Sequence, residues 1–286
     1  MVTLEDYHSD DPVAWCPGCG NFSILEALKN ALVELQEKPS EIVIVSGIGQ
    51  AAKTPHYLRC NTFNGLHGRT LPVATGIKLA NHELTVLAEG GDGDGYTEGG
   101  NHFIHAMRRN IDLTYLVHNN QIYGLTKGQT SPTSELGYVS KTTPMGALNP
   151  PLNPLLLAIA SDCGFVARGF SGDTLHLSNL IQEGILHKGF ALIDILQPCV
   201  SFNRVNTFQW YSSRVYKIND EEEYDPTNRL KAFEIAQEWG ERIPIGIIYR
   251  GERSTLNEQE PAIREESLVK QRIDQSTFES IFGSFK

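Results

Sequence analysis

The chain has 286 residues, of which 40% are apolar, enough to bury a real core as one large domain or as one domain with an extension. Its 34 acidic side chains outnumber the 24 basic ones, and a net charge of −10 repels a polyphosphate backbone, which argues against nucleic acid as a partner. No apolar run approaches the ~20 residues that cross a bilayer, and residues 1–10 (MVTLEDYHSD) carry neither a basic nor a hydrophobic stretch, so a cytoplasmic protein without a membrane partner is expected.

In chain order, WCPGCG at residues 15–20 comes first, ahead of a helix-like run over 21–37. Short β-branched runs then recur at 41–46 (EIVIVS), 84–89 (LTVLAE), 113–118 (LTYLVH) and 190–196 (FALIDIL), each reading as a strand buried on both faces. Helix-like stretches fall between them at 50–59, 71–82, 98–109, 153–163 and 173–187. This alternation predicts an α/β fold: a doubly wound, mostly parallel sheet with helices on both faces. After residue 202 the rhythm weakens, so the expected division is a domain over 1–202 and a C-terminal extension over 203–286, with a helix at 229–239 and a strand at 245–249.

Ligands of such a sheet bind beyond the carboxyl ends of its strands. Glycines gather there: Gly47 and Gly49 follow the first strand, and Gly91-Asp92-Gly93-Asp94 follows the second. Glycine lets a backbone approach an anion, yet a carboxylate between glycines repels a bare phosphate. A divalent cation resolves the conflict, since Mg²⁺ takes one or two carboxylates together with phosphate oxygens. The spacing resembles the thiamine diphosphate motif, GDG followed by NN: residues 94–118 separate Gly93 from Asn119-Asn120. That resemblance implies that Asp92 and Asn120 ligate Mg²⁺ through side chains and Ile122 through its carbonyl.

The pair Cys16/Cys19 admits several readings. A closed zinc site wants four ligands, and no second CxxC exists. WCPGC is a permutation of the thioredoxin motif, but YHSDDPVA ahead of it is no strand. Two buried structural thiols are a third reading. A Pro-Gly turn that aims N–H groups at the sulfurs suits an iron–sulfur cluster, whose ligands are four thiolates. Cys163, in SDCGFVARG, reads as core packing.

Taken together, CPGCGNF, SGIG, HGR at 67–69, GDGD, HNNQIYGLTKGQTSPTS and QPC at 197–199 resemble the β (thiamine-binding) subunit of 2-oxoacid:ferredoxin oxidoreductases, over roughly residues 12–205. The resemblance implies the thiamine diphosphate-binding fold, with thiamine diphosphate, Mg²⁺ and one [4Fe–4S] cluster as cofactors. It implies oxidative decarboxylation of a 2-oxoacid, reversible to carboxylation, with electrons passed through the cluster to ferredoxin and the acyl group to coenzyme A. The KGQTSPTS form leans to 2-oxoglutarate over pyruvate. An α (or fused γα) subunit is the implied partner, in a heterodimer or a dimer of heterodimers, and it carries the glutamate that activates the cofactor. Cys16, Cys19 and Cys199 match three cluster cysteines. Where the family has SGIGC, this chain has Gln50, so the fourth ligand is either Cys60 or a non-cysteine: Gln50, water or a partner chain.

The same resemblance assigns Gly47, Ile48, Gly49, His67, Gly91, Asp92, Gly93, Asp94, Asn120, Ile122, Tyr123, Gly124, Leu125 and Thr126 to the cofactor. Lys127 is the expected partner of the substrate carboxylate, with Thr126 and Gln129 nearby, and His67 a hydrogen-bonding group at the diphosphate or a reacting oxygen. His102, His105, His118 and the Arg108-Arg109 pair read as structural. Two competing readings remain: a non-redox thiamine decarboxylase or carboligase, which lacks a cluster absorbance, and a thiol or zinc interaction module, which thiamine diphosphate does not stabilise.

Overall fold

Every residue of the run IVIVS is buried, and it forms β1 (Ile42–Ser46) in the interior of a sheet covered on both faces. The computed structural model describes residues 1–272 and 274–285. Within them the later strands are β2 (Asn61–Asn64), β3 (Thr85–Gly91), β4 (Leu113–Asn119), β5 (Ile122–Tyr123), β6 (Gln129–Thr130), β7 (Phe165–Phe170), β8 (Phe190–Leu196), β9 (Val215–Lys217) and β10 (Ile243–Arg250). The helices are α1 (Gly20–Glu34), α2 (Thr70–Ala80), α3 (Gly100–Arg109), α4 (Pro154–Ala160), α5 (Thr174–Leu186), α6 (Phe208–Ser212), α7 (Arg229–Ile235), α8 (Leu256–Gln259) and α9 (Gln275–Gly283).

The main sheet has the order β2-β1-β3-β4-β8-β7-β10-β9. Its first six strands are parallel to their neighbours, β10 runs antiparallel to β7, and β9 pairs parallel with β10, so the last two strands run against the other six. Strand alternation sends Val43, Val45, Val86 and Val117 to one face, where residues of α2, α3, α4 and α7 cover them. Ile42, Ile44, Leu87 and Leu116 point to the other face, under α1 and α5. The predicted doubly wound α/β architecture is therefore present.

The chain leaves β1 for its outer neighbour β2 and returns on the other side as β3. Such a reversal opens a crevice at the carboxyl ends of β1 and β3, where ligands of these sheets bind.

Two expectations change. The helix expected over 50–59 is only a short 3₁₀ turn, Ala51–His56, because Pro55 inside it cannot donate a backbone hydrogen bond. The chain then straightens into β2, whose four residues are all exposed and so left no hydrophobic signature. The segment after 202 contributes β9 and β10 to the same sheet, with β10 over 243–250 and α7 ending at Ile235, short of the expected limit. Among the described residues no helix is long and apolar enough to cross a membrane.

Candidate active site

A cleft opens at the strand ends, lined by residues 48–51 after β1, His67, residues 91–94 after β3, His118, Asn120 and residues 122–126 after β4. Ile48, Gly49, Gly91, Gly93, Asp94, Ile122, Tyr123, Gly124, Leu125 and Thr126 all fall on this lining, as do Asp92, Asn120 and His67. Gly47 lies beneath it, and Lys127 stands one residue past it, exposed.

Asp92 directly follows β3 and is 1% exposed. Its Oδ2 accepts hydrogen bonds from Ser131 Oγ at 2.5 Å and Thr133 Oγ1 at 2.6 Å. Its Oδ1 is buried with no partner among the described residues. Burial pushes the carboxyl up to about 6, against the pull of the two hydroxyls. A buried carboxylate oxygen left without a donor costs roughly 1–3 kcal/mol or more, and a cation at that oxygen removes the cost. The support extends inward: Thr133 Oγ1 is 2.9 Å from Asn119 Oδ1, Asn119 Nδ2 donates to Asp194 Oδ1 at 3.1 Å, and Tyr96 donates to the same oxygen at 2.8 Å.

Asp94 does different work. Its Oδ1 accepts from the Ile48 amide at 3.1 Å, the Gly68 amide at 2.8 Å and His67 Nδ1 at 2.7 Å, so it ties the loops after β1 and β2 to the loop after β3. Its donors come from the protein, which makes it a brace for the cleft. Gly47 is required there, since a Cβ on it would lie 1.9 Å from Asp94 Oδ2. Gly49 has φ +129 and open space where a Cβ would stand, which leaves its backbone facing the cleft.

His67 spends Nδ1 on Asp94 while its side chain lines the cleft. Asn120 Oδ1 accepts the Ile122 amide at 3.1 Å, a turn that opens the loop after β4. Tyr123 packs over Gly93, where a Cβ would come within 2.5 Å of its ring, and its hydroxyl donates to Glu98 at 3.2 Å. Thr126 Oγ1 donates to Gln129 Oε1 at 2.6 Å. Lys127 has φ +81, ahead of Gly128 at +98, a conformation that a lysine adopts only where its surroundings impose it.

Outside the lining of the cleft, Cys16 and Cys19 sit on a turn closed by the Cys19 amide on the Cys16 carbonyl at 2.9 Å. Ser201 Oγ donates to Cys16 Sγ at 3.1 Å and Gln197 Nε2 to Cys19 Sγ at 3.4 Å. Burial pushes the Cys19 thiol up to about 11, with the charges of Cys199 and Cys16 adding to it. Two bonds tie this region toward the cleft: Trp15 Nε1 donates to the Gln50 carbonyl at 2.7 Å, and the Gln197 amide to the Asn119 carbonyl at 2.9 Å.

The structure does not bring Cys60 to this group. Its thiol donates to the Asn61 carbonyl at 3.4 Å and packs against the apolar layer under α1, because the chain turns into β2 there. Cys163 is fully buried and donates to the Phe165 and Phe190 carbonyls, as expected of core packing. Among the described residues no three His, Cys, Asp or Glu side chains stand close enough to share one metal ion. A site with one carboxylate, an amide and a carbonyl differs from such a cluster, as does one whose thiolates bind separate irons.

The sequence reading missed Ser131, Thr133 and Asp194. Asp194 had a signal, a lone carboxylate in the apolar strand FALIDIL, because a charge buried in a sheet needs partners.

Comparisons with known proteins agree with this geometry. Residues 45–195 match the family "Thiamine pyrophosphate enzyme, C-terminal TPP binding domain", and residues 199–265 match the family of the C-terminal region of the pyruvate ferredoxin oxidoreductase β chain. The chain is 47% identical to the β subunit of 2-oxoacid:ferredoxin oxidoreductase of Saccharolobus solfataricus, over 89% of this chain and 87% of that one. It is 48% identical to KorB, a subunit of the 2-oxoglutarate oxidoreductase of Mycobacterium tuberculosis, over 70% of this chain and 53% of that one. A 2-oxoglutarate:ferredoxin oxidoreductase structure from Magnetococcus marinus, with 2-oxoglutarate, coenzyme A and succinyl-CoA bound, superposes with a TM-score of 0.91 at 36% identity, covering 98% of this chain and 96% of that one. These matches do not favour the non-redox carboligase or the thiol module. The cleft with its unpartnered carboxylate oxygen and these relatives lead to one conclusion: the chain belongs to the β subunits of the 2-oxoacid:ferredoxin oxidoreductases.

Proposed function

We propose that this chain works with an α (or fused γα) subunit in the cytoplasm as a coenzyme A-acylating 2-oxoglutarate:ferredoxin oxidoreductase, arranged as a heterodimer or a dimer of heterodimers. The observation that carries the reading is the Oδ1 atom of Asp92, buried without a partner at the carboxyl end of β3. Mg²⁺ fits that oxygen together with Asn120 Oδ1 and the Ile122 carbonyl, and the diphosphate fits the glycine-lined wall beside it. Thiamine diphosphate supplies the electron sink that decarboxylation of a 2-oxoacid needs.

The chain's own residues hold and orient. Asp94 fixes the Ile48 and His67 loops, so the His67 ring is held at the cleft for the diphosphate or a reacting oxygen. Ile48 and Leu125 are 38% and 45% exposed, and offer apolar support for the cofactor. Lys127, held in its left-handed turn, places a cation for the substrate carboxylate, with Thr126 beside it. Cys16, Cys19 and Cys199 fit an iron–sulfur cluster that takes electrons toward ferredoxin, and N–H and O–H donors already face two of the sulfurs.

A partner subunit is supported by an exposed apolar stretch between β6 and α4: Leu136, Val139, Met145 and Leu148 are 65%, 64%, 90% and 84% exposed. Co-purification of both subunits without oxygen, followed by 2-oxoacid- and coenzyme A-dependent reduction of a viologen dye, tests the proposal. Faster reduction with 2-oxoglutarate than with pyruvate is expected. No reduction with either acid overturns the reading.

A further inference from the structure

The strand β7 (FVARGF) sets one arginine among apolar residues, and alternation sends Arg168 and its β8 neighbour Asp194 to the sheet face that α4 and α7 cover. Arg168 is 3% exposed, and its Nε and Nη1 are buried with no hydrogen-bond partner among the described residues. Asp194 does not relieve it, because the Tyr96 hydroxyl and the Asn119 amide already bond that carboxylate. The guanidinium instead meets a ring, with its Cζ 5.4 Å from the centre of Trp239. A buried cation with unmet donors is destabilising until an acceptor reaches it.

Room for an acceptor is present. Arg168 lines a cavity of about 230 Å³ together with Asp194, Asn119, Thr133 and an apolar group of Pro151, Leu152, Pro154 and Trp239. None of its lining residues lines the cleft. Other polar side chains there are engaged: Gln121 donates to the Thr133 carbonyl and accepts from the Tyr211 hydroxyl, and Asn153 caps α4. The arginine is thus the unspent recognition group, and its planar fork matches a carboxylate.

We propose that this cavity is a second ligand site, which takes a small monocarboxylate with an aliphatic tail, the carboxylate on Arg168 and the tail against Leu152, the prolines and Trp239. Phosphate suits it less, because the carboxylate of Asp194 repels a second negative charge and much of the remaining wall is apolar. The occupant also adjoins the support of the cleft, since Thr133 Oγ1 bonds both Asp92 Oδ2 and Asn119 Oδ1.

Calorimetric titration of the assembled complex of both subunits with butyrate tests the proposal, with n-butanol and inorganic phosphate as comparisons. One butyrate per β chain is expected to bind, and neither comparison compound at the same concentrations. Lys127→Ala, which weakens any carboxylate binding in the cleft, is expected to leave this binding in place. Arg168→Met is expected to weaken it at least about tenfold. Leu152→Trp fills the cavity with Arg168 intact and is expected to cause a similar loss, which keeps the test decisive where Arg168→Met does not assemble. The proposal is overturned if the natural complex takes up no butyrate at millimolar concentrations, or if phosphate binds as tightly. It is equally overturned if Lys127→Ala abolishes the binding, or if assembled Arg168→Met or Leu152→Trp complexes bind butyrate as the natural one does.

Discussion

The cleft and the CPGC turn are finished to different degrees. In the cleft, Asp92 and Asp94 are 1% and 3% exposed and are gripped by donors from other loops, so their oxygens are positioned before any ligand arrives. At the CPGC turn and residue 199, one thiol is exposed and two are half-buried. A preorganised site loses little order on binding, whereas an open one takes its order from the ligand or a partner. The cleft is thus encoded in this chain's packing, and the CPGC turn depends more on what binds it.

Asp92→Asn bears hardest on the cleft. Replacing the unpartnered oxygen's carboxylate with an amide is expected to weaken Mg²⁺-dependent thiamine diphosphate binding on the order of a hundredfold, measured by calorimetry on the assembled α–β complex. Unchanged affinity would remove Asp92 from the metal and erase the contrast between the two regions.

Gly47→Ala comes next. The new methyl carbon would meet Asp94 Oδ2, and that carboxylate cannot swing away because three donors hold its other oxygen. A loss of about 1–3 kcal/mol in urea unfolding is expected. An unshifted midpoint with unchanged slope would mean that the brace is slack. Thr133→Val removes the hydroxyl between Asp92 and Asn119. Roughly 1 kcal/mol of stability and about tenfold in metal affinity are expected to go. Retention of both would place the hydroxyl outside the support of the site.

The smallest effect concerns pH. Burial raises the Asp194 carboxyl above its ordinary 3.8, so the folded chain holds that proton more tightly than the unfolded chain does. Stability without ligands therefore falls as pH climbs through the window just above 3.8. Asp194→Asn is expected to flatten that fall in denaturant melts taken across the acid range, and an identical slope would show that another group sets it.

Much of this was readable in the sequence for definite reasons. Runs such as EIVIVS and FALIDIL announce strands because doubly buried strands are apolar at every position. The GDG and NN pairs declare a diphosphate site because each lies at a strand end. The strand β2 was hidden since its burial carries no alternation, and a helical reading of the stretch before it overlooked Pro55. The hydroxyls of Ser131 and Thr133 were hidden because their partner Asp92 lies across the fold, and no local pattern encodes a contact of that range. Asp94 was legible as a ligand-side residue, yet its brace emerges only once three loops meet on it.

The flank of the sheet formed by β2 carries one more consequence. An outermost strand presents free amides and carbonyls, an invitation to fibril-like growth by strand addition. Here the strand stops after four residues, and Asn61 turns its side-chain amide inward onto the Ser40 and Ile42 carbonyls, at 3.1 and 2.9 Å. A template that short and that polar gives a stray chain little to zip onto. Extending β2 with β-branched residues would convert this guarded border into an aggregation seed.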